Sequence, residues 1–430
     1  MYSIQSIIEK HKAGEHIGIF ANCSANEYVL RAVMRRCKRE NLPALIEATA
    51  NQVNQEGGYT GQTPKEFYAW CQEIAKRESF DTSNLILGGD HLGPLTWSKL
   101  SEAEAMDKAE VLVREYVLAG FTKIHIDTSM RLGSDDKSVP LSNELIAERG
   151  ARLCAVAEKA FAERKTQVPD AVAPVYIVGS EVPIPGGAME HEVLSVTGKD
   201  DCTATISAFS RAFESAGLTQ AWERVVAVVV QPGVEFGEDD VDVYCSEKAK
   251  ELRSALKDSD FVFEGHSTDY QPRPALRALV RDGIVILKVG PALTFALREA
   301  LFALENIEKI ALTKSAVLSR FSEVLESVML EKPDNWISHY HGDEHKLKIN
   351  RAYGFSDRAR YYLPEPAVKD SMDTLISNLK SVGSLPLPLL SQFLPLQYAR
   401  VRDGEINNTV DDIILDKIGD CIDDYVFAVR

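Results

Sequence analysis

Short apolar runs recur eight times along the first two thirds of the chain, and each ends in polar or ionisable side chains. The first four are Gly18–Asn22, Ala44–Glu47, Leu85–Leu87 leading into Asp90 and His91, and Lys123–Asp127. The second four are Val175–Val178 leading into Glu181, Val225–Val230 leading into Gln231, Phe261–Phe263 leading into His266, and Ile284–Lys288. Runs of this length, apolar without alternation, read as strands buried on both faces, the habit of parallel sheets. The segments between them carry helical period and capping signals. Asn26–Arg39 puts Val29, Leu30 and Val33 on one face and gathers Arg35, Arg36 and Lys38 near its end, where cations suit the helix dipole. Thr63-Pro64 opens the next helix, and Ser101–Ala119 stops at Gly120. Ser142–Arg164, Asp200–Ala216, Ser246–Leu256, Pro274–Arg281 and Phe295–Glu305 complete the set. Eight strands, each followed by a helix, predict a (β/α)8 barrel over residues 1–312, with its chemistry at the C-terminal strand ends. A doubly wound open sheet is the structural alternative, disfavoured by the count of eight and by the lack of a Gly-rich dinucleotide loop.

After Leu312 the alternation stops. Ser315–Met329, Met372–Leu379, Ser391–Tyr398 and Asp411–Val429 read as helices of an appendage over residues 313–430, packed on the barrel. It includes an aromatic, basic stretch from Arg351 to Tyr362, suited to an interface, to reaching over the site, or to a plain surface role. Two connections exceed what a barrel needs. Thr49–Thr63 sets Asn51, Gln52, Asn54 and Gln55 beside Gly57 and Gly58, and Ser129–Leu141 carries Gly133 and Pro140. Long βα loops are often binding loops, and amide side chains suit a polyhydroxylated ligand; a solvated turn is the plainer reading.

Charge and cysteine usage narrow the class. With 48 basic and 64 acidic residues the net charge is −16, which disfavours nonspecific binding to nucleic acid or to anionic membranes. Seven scattered cysteines with no CxxC suit a reducing compartment. Neither a signal peptide nor a membrane-spanning run is evident, so the expectation is a cytoplasmic protein.

The strand ends contain one coherent metal set: His91, Glu181 and His266 from strands three, five and seven, with Gln231 of strand six completing or bordering it. Imidazoles plus a carboxylate suit a catalytic divalent ion, zinc first, with manganese, nickel or cobalt as alternatives. Packed core histidines are the competing reading. Asp90, beside His91, is a candidate proton-transfer group. Asp127 and Ser129 share a strand face and are expected to position substrate or a metal ligand, although Asp127 could simply cap a turn. Ser267 and Thr268 after strand seven, with Lys288, Gly290 and the helix near Thr294 after strand eight, form a candidate phosphate site. Lys288 as a Schiff-base nucleophile or as a structural lysine competes with that use.

Nine motifs in one order extend these readings. They are HKAGEHIGI (His11–Ile19), IEATANQVNQEGGYTGQTP (Ile46–Pro64), LGGDHLGP (Leu87–Pro94), KIHIDTSM (Lys123–Met130) and GSEVPIPGG (Gly179–Gly187). VVQPGVEF (Val229–Phe236), GHSTDYQ (Gly265–Gln271), LKVGPALTFALREA (Leu287–Ala300) and FSDRARYY (Phe355–Tyr362) follow. Over nearly its whole length the chain resembles the Z-type subunit of class II D-tagatose-1,6-bisphosphate aldolases, the GatZ/KbaZ family. The resemblance implies a class II aldolase-like barrel, with His91 and His266 as ligands and Asp90 as proton-transfer group. It also implies a ketohexose phosphate substrate, an oligomer, and a Y-type catalytic partner whose activity and stability this subunit supports. Gln231 stands where the aldolases place another histidine, and that departure argues against simple bisphosphate aldolase activity. Other members of the family are described as metal-dependent 4-epimerases of ketohexoses or their 6-phosphates, an enzymatic alternative to the partner role. A kinase function finds no P-loop and no kinase signature set in the sequence.

Overall fold

A computed structural model describes residues 3–179, 194–256, 259–313 and 316–430. The eight runs form strands β1 (Ile19–Asn22), β2 (Ala44–Thr49), β3 (Leu85–Leu92), β4 (Lys123–Ile126), β5 (Val175–Val178), β6 (Val225–Val230), β7 (Val262–Gly265) and β8 (Ile284–Val289). Each is parallel to the next, and β1 pairs with β8 in the register Ala21↔Lys288, which closes the barrel. The open-sheet alternative is thereby excluded. A two-residue antiparallel pair, Glu235–Phe236 with Val241–Asp242, decorates the loop after β6.

The interior is layered, because alternate residues of every strand point inward. At the N-terminal end, Ile19, Leu45, Ile86, Val175 and Val262 form an apolar plug. A short helix, Ile4–Lys10, caps it with Ile4, Ile7 and Ile8; the sequence reading did not anticipate this helix. Further along the strands inward positions turn ionisable: Glu47 two residues after Leu45, Glu264 two after Val262, Lys288 two after Ile286, and Lys123 at the start of β4. The outward positions, such as Phe20, Ile46, Ile124 and Phe263, join the second core between strands and helices.

The surrounding helices begin and end as their caps dictate. Asn26 caps Glu27–Glu40, while Thr63 and Ser101 form capping boxes with Glu66 and Glu104 at Pro64–Arg77 and Glu102–Ala119. Gly120, with φ 111°, ends the latter helix in the left-handed conformation. The helices after β4, β5, β6, β7 and β8 are Asn143–Gln167, Lys199–Ser215, Lys250–Ser254, Arg273–Arg281 and Pro291–Ala311.

The C-terminal residues are helical, with boundaries that differ from the periodicity. The first helix starts at Phe321, because the Ser319 amide and hydroxyl bond the Glu308 carboxylate and Arg320 turns left-handed. The segment expected over Ser391–Tyr398 is split into Leu387–Phe393 and Pro395–Asp403, since Pro395 lacks the amide to continue the first helix. Glu344–Tyr353 is an additional helix and Pro366–Val382 a longer one than expected. The last helix, Val410–Val429, runs beside Glu27–Glu40: Arg36 pairs with Asp416 at 2.7 Å and Arg39 with Asp423 at 2.8 Å. It also contacts Arg273–Arg281 and Pro291–Ala311, so it belongs to the ring around the barrel. Among the described residues no helix is long and apolar enough to cross a membrane.

Candidate functional site

The functional side chains stand above the apolar plug in two tiers. In the lower tier, Lys123 lies 2.6 Å from Glu47 and 2.7 Å from Glu264, all three sealed from solvent. Lys288 bridges the tiers, bonded to Glu47 and lying 2.6 Å from Asp90. The upper tier holds Asp90, His91, His125, Asp127 and His266. Asp90 and His91, adjacent in sequence, both line the same cavity. That is outside the regular alternation of a strand: His91 has φ 48°, and the β3–β4 register shifts between Gly89 and Leu92.

Three imidazoles surround Asp90. Donor atoms of Asp90, His91, His125 and His266 all lie within 4.8 Å of one another. Each ring is oriented by a separate partner: His91 Nδ1 is 2.8 Å from Asp127 Oδ2, His125 Nε2 is 3.0 Å from the Gly179 carbonyl, and His266 Nε2 is 3.0 Å from Glu264 Oε1. Metal-binding histidines are characteristically held in this way by a carboxylate or carbonyl on the other nitrogen. A neutral His125 that donates Nε2–H to Gly179 accepts the His91 amide on Nδ1 at 3.1 Å, with Asp90 Oδ1 equally close to that nitrogen. Formal charge suits an added divalent cation: the carboxylates of Glu47, Asp90 and Glu264 face the ammonium groups of Lys123 and Lys288, and Asp127 adds a further carboxylate beside His91. The residues therefore fit a divalent ion held by imidazole nitrogen and carboxylate oxygen.

Protonation is tuned by the same contacts. Burial pushes the Asp90 carboxyl up, but Lys288, His91 and the His125 hydrogen bond outweigh it and hold the group well below the usual carboxylate range. Burial opposes the Lys288 ammonium, yet Asp90 leads the surrounding groups that raise its pKa. Burial likewise disfavours imidazolium at His91, and Asp90 and Asp127 override it, so its pKa is raised. His266 is pushed down to about 3 chiefly by burial, which keeps it in the neutral form that a metal requires.

The tiers open into a cavity of about 880 Å³, within the usual size of a small-molecule site. Asn51, Gln52, Ser129, Ser267, Lys288 and Gly290 line it as well. Several of these are engaged within the protein. Gln52 is a loop tie, donating to the Cys23 carbonyl and accepting from the Thr49 amide, and Asn51 accepts from Thr96 at 2.9 Å. Ser129 donates its amide and hydroxyl to Asp127. Thr268 turns its hydroxyl to the Lys288 carbonyl at 2.6 Å. The Gly290 amide donates to Asp269, and Thr294 is bonded to Asp357. Of the donors assigned to a phosphate from sequence, the Ser267 hydroxyl is buried without a hydrogen-bond partner among the described residues. Gln231 spends its carboxamide oxygen on the Gly233 and Val234 amides, stabilising the turn after β6, and its Nε2 is buried without a partner among the described residues. Glu181 lies outside the described residues.

His125, Glu47, Lys123 and Glu264 were missing from the sequence-derived set. The signal for them was present: Lys123 and His125 alternate along β4 with Asp127 next in step just past its end, and Glu264 stands two residues before His266. The C-terminal segment adds Arg360, Tyr361 and Leu363 to the cavity wall.

Comparisons with known proteins agree with this architecture. A solved structure from Sinorhizobium meliloti 1021, described as a probable tagatose 6 phosphate kinase, is 44% identical, with a TM-score of 0.86 over 96% of this chain and 100% of that one. The YdjI aldolase from Escherichia coli K12 matches at 12% identity and a TM-score of 0.40, over 89% of this chain and 99% of that chain. A fructose-bisphosphate aldolase from Campylobacter jejuni gives 15% and 0.41, over 87% and 91%. The two aldolase likenesses are too distant to carry a functional argument. The family model described as D-tagatose-1,6-bisphosphate aldolase subunit GatZ/KbaZ-like matches residues 4–430, and the chain belongs to that family.

Proposed function

We propose that this protein is a divalent-metal-dependent enzyme acting on ketohexose phosphates by aldol-type chemistry, as a 4-epimerase interconverting tagatose 6-phosphate and fructose 6-phosphate. The observation that carries the reading is the set of three separately oriented histidines around Asp90, of which His91 and His266 line, with Asp90, a cavity of sugar-phosphate size. His91, His125 and His266, with Asp90 or Glu181, would hold the ion. When bound, it supplies Lewis-acid polarisation of the ketose oxygens.

The chain's own groups then manage protons. Asp90 is ionised near neutrality and accepts the C4 hydroxyl proton as the C3–C4 bond breaks, its electron pair passing to the C2 carbonyl. The aldehyde fragment turns over, the bond re-forms on its other face, and the proton returns to the C4 oxygen. No atom is gained or lost. Lys288 stabilises ionised Asp90, and Asp127 orients His91. Walls from the long β2 and β4 loops keep the cleaved fragment from escaping during the turn.

The test is turnover by the purified protein alone, with each ketohexose 6-phosphate and added zinc, manganese, nickel or cobalt. Interconversion lost in His125→Ala supports the proposal, and no interconversion with any metal refutes it. A second reading follows from the family description: a subunit that supports a Y-type aldolase. Enhanced cleavage by a co-expressed Y subunit, with no turnover alone, would favour it.

A further inference from the structure

The cations that line the cavity are not equivalent. Lys288 is committed to Glu47 and Asp90, Arg31 is tied to Glu78 at 2.6 Å, and Lys369 stands exposed at the rim. Arg360 is different. It comes from the C-terminal segment, lies partly buried in the cavity wall, and has no carboxylate within salt-bridge distance among the described residues. Its Nη1 donates to the carbonyls of Ser356 and Asp357, and its Nη2 donates to the Tyr361 hydroxyl at 2.9 Å. The guanidinium also stacks over the Tyr361 ring, 4.4 Å from the centroid. Tyr361 in turn meets Tyr59 of the long β2 loop edge to face.

A guanidinium fixed at one end by carbonyls and on one face by an aromatic ring is already oriented. A partly desolvated cation without a counter-ion is costly unless an anion joins it. Phosphate and carboxylate match its planar fork, and preorganisation lowers the entropic cost of binding them. Of the other donors expected to take a phosphate, the Gly290 amide and Lys288 are already satisfied inside the protein, which leaves the neutral Ser267 hydroxyl to assist a cation in the same cavity.

We propose that Arg360, steadied by Tyr361 and facing the cavity beside Tyr59, reads the anionic end of the substrate and makes the C-terminal segment the specificity element of the site. This rests on the sugar-phosphate reading above and locates its anion at the cavity wall rather than at the β8 helix. The ligand chemistry is a terminal oxyanion on a ketose, either a phosphate ester or a C6 carboxylate.

Three substrates separate these sources: a ketohexose 6-phosphate, the corresponding ketohexuronate, and the neutral ketohexose. In Arg360→Gln the preference for the anionic over the neutral sugar, as a ratio of kcat/KM, is expected to fall at least tenfold, mainly through KM. Arg360→Lys, which keeps the charge but not the fork, should lie between, and thermal melts identify any misfolded variant. An unchanged ratio overturns the proposal. If no sugar is turned over, titration of the metal-loaded protein with inorganic phosphate, followed by 31P NMR, decides independently. Saturable binding weakened at least tenfold in Arg360→Gln, with Tyr361→Phe weakened less, supports an anion site without supporting the reaction. No binding to the wild type, or equal binding by the variants, rejects it.

Discussion

Lys288 Nζ lies 2.6 Å from Asp90 Oδ1 and is bonded at the same time to Glu47, so one buried ammonium joins strands β8, β3 and β2. Its position between carboxylates explains why a lysine persists as a cation inside a barrel. It also argues against a Schiff-base role, which needs the amine neutral. Replacing it exposes the cost of those carboxylates: Lys288→Met is expected to destabilise the fold by about 3–5 kcal/mol, the usual penalty for orphaning a buried charge. Chemical denaturation measures this. A double-mutant cycle with Asp90→Asn should recover part of the loss, because Glu47 keeps Lys123 whereas Asp90 is left without an ammonium partner.

Asp127 orients His91 through a 2.8 Å hydrogen bond and is itself held by Ser129. Asp127→Asn should keep the shape while weakening the hold on the ring. Metal affinity is expected to fall about 10–100-fold, the range typical of partners to metal-binding histidines. Competition with a chromophoric chelator gives the value directly, and unchanged affinity would remove Asp127 from the metal centre.

Gly93 touches the same residue from behind. A Cβ there would lie 1.8 Å from the Asp127 carbonyl oxygen, a backbone atom that cannot rotate away. Gly93→Ala is therefore expected to cost about 1–3 kcal/mol through overpacking. Turnover should fall too, as Asp127 is displaced; wild-type activity and stability together would contradict the packing.

The last helix supplies a test with a defined pH sign. Burial raises the Asp416 carboxyl, but hydrogen bonds from Arg36 and Arg400 outweigh it, so its folded pKa is depressed. A carboxylate depressed in the fold stabilises at pH above its unfolded value, about 3.9, and loses that contribution as pH falls towards the folded value. Thermal melts between pH 7 and pH 3 should show wild type losing its advantage over Asp416→Asn below about pH 4. A gap that stays constant to pH 3 would show that ionisation of Asp416 contributes nothing.

The strand pattern was legible because parallel barrel strands are apolar on both faces and their functional ends follow in register. Asp90, His91, Asp127 and His266 could be read from strand-end position alone. His125 could have been, since it shares a face with Asp127, but its neighbours made it look like core. The adjacency of Asp90 and His91 in one cavity was not legible: it depends on the left-handed turn at His91.

What the sequence by itself determined is local: eight strands, their inward faces, the caps, and the residues delivered to one end of the barrel. The tertiary structure alone decided which of those residues remain available. Closing the barrel brings Lys288 to Glu47 across a separation of 241 positions, commits Gly290 to Asp269, and lays Arg360 into the cavity wall. Alternation along a strand is a property of neighbouring residues, whereas charge pairing is settled by whatever distant group the closed fold sets within hydrogen-bond reach. The phosphate donors expected after strand eight are spent for that reason, and the guanidinium that faces no carboxylate among the described residues comes from a helical segment.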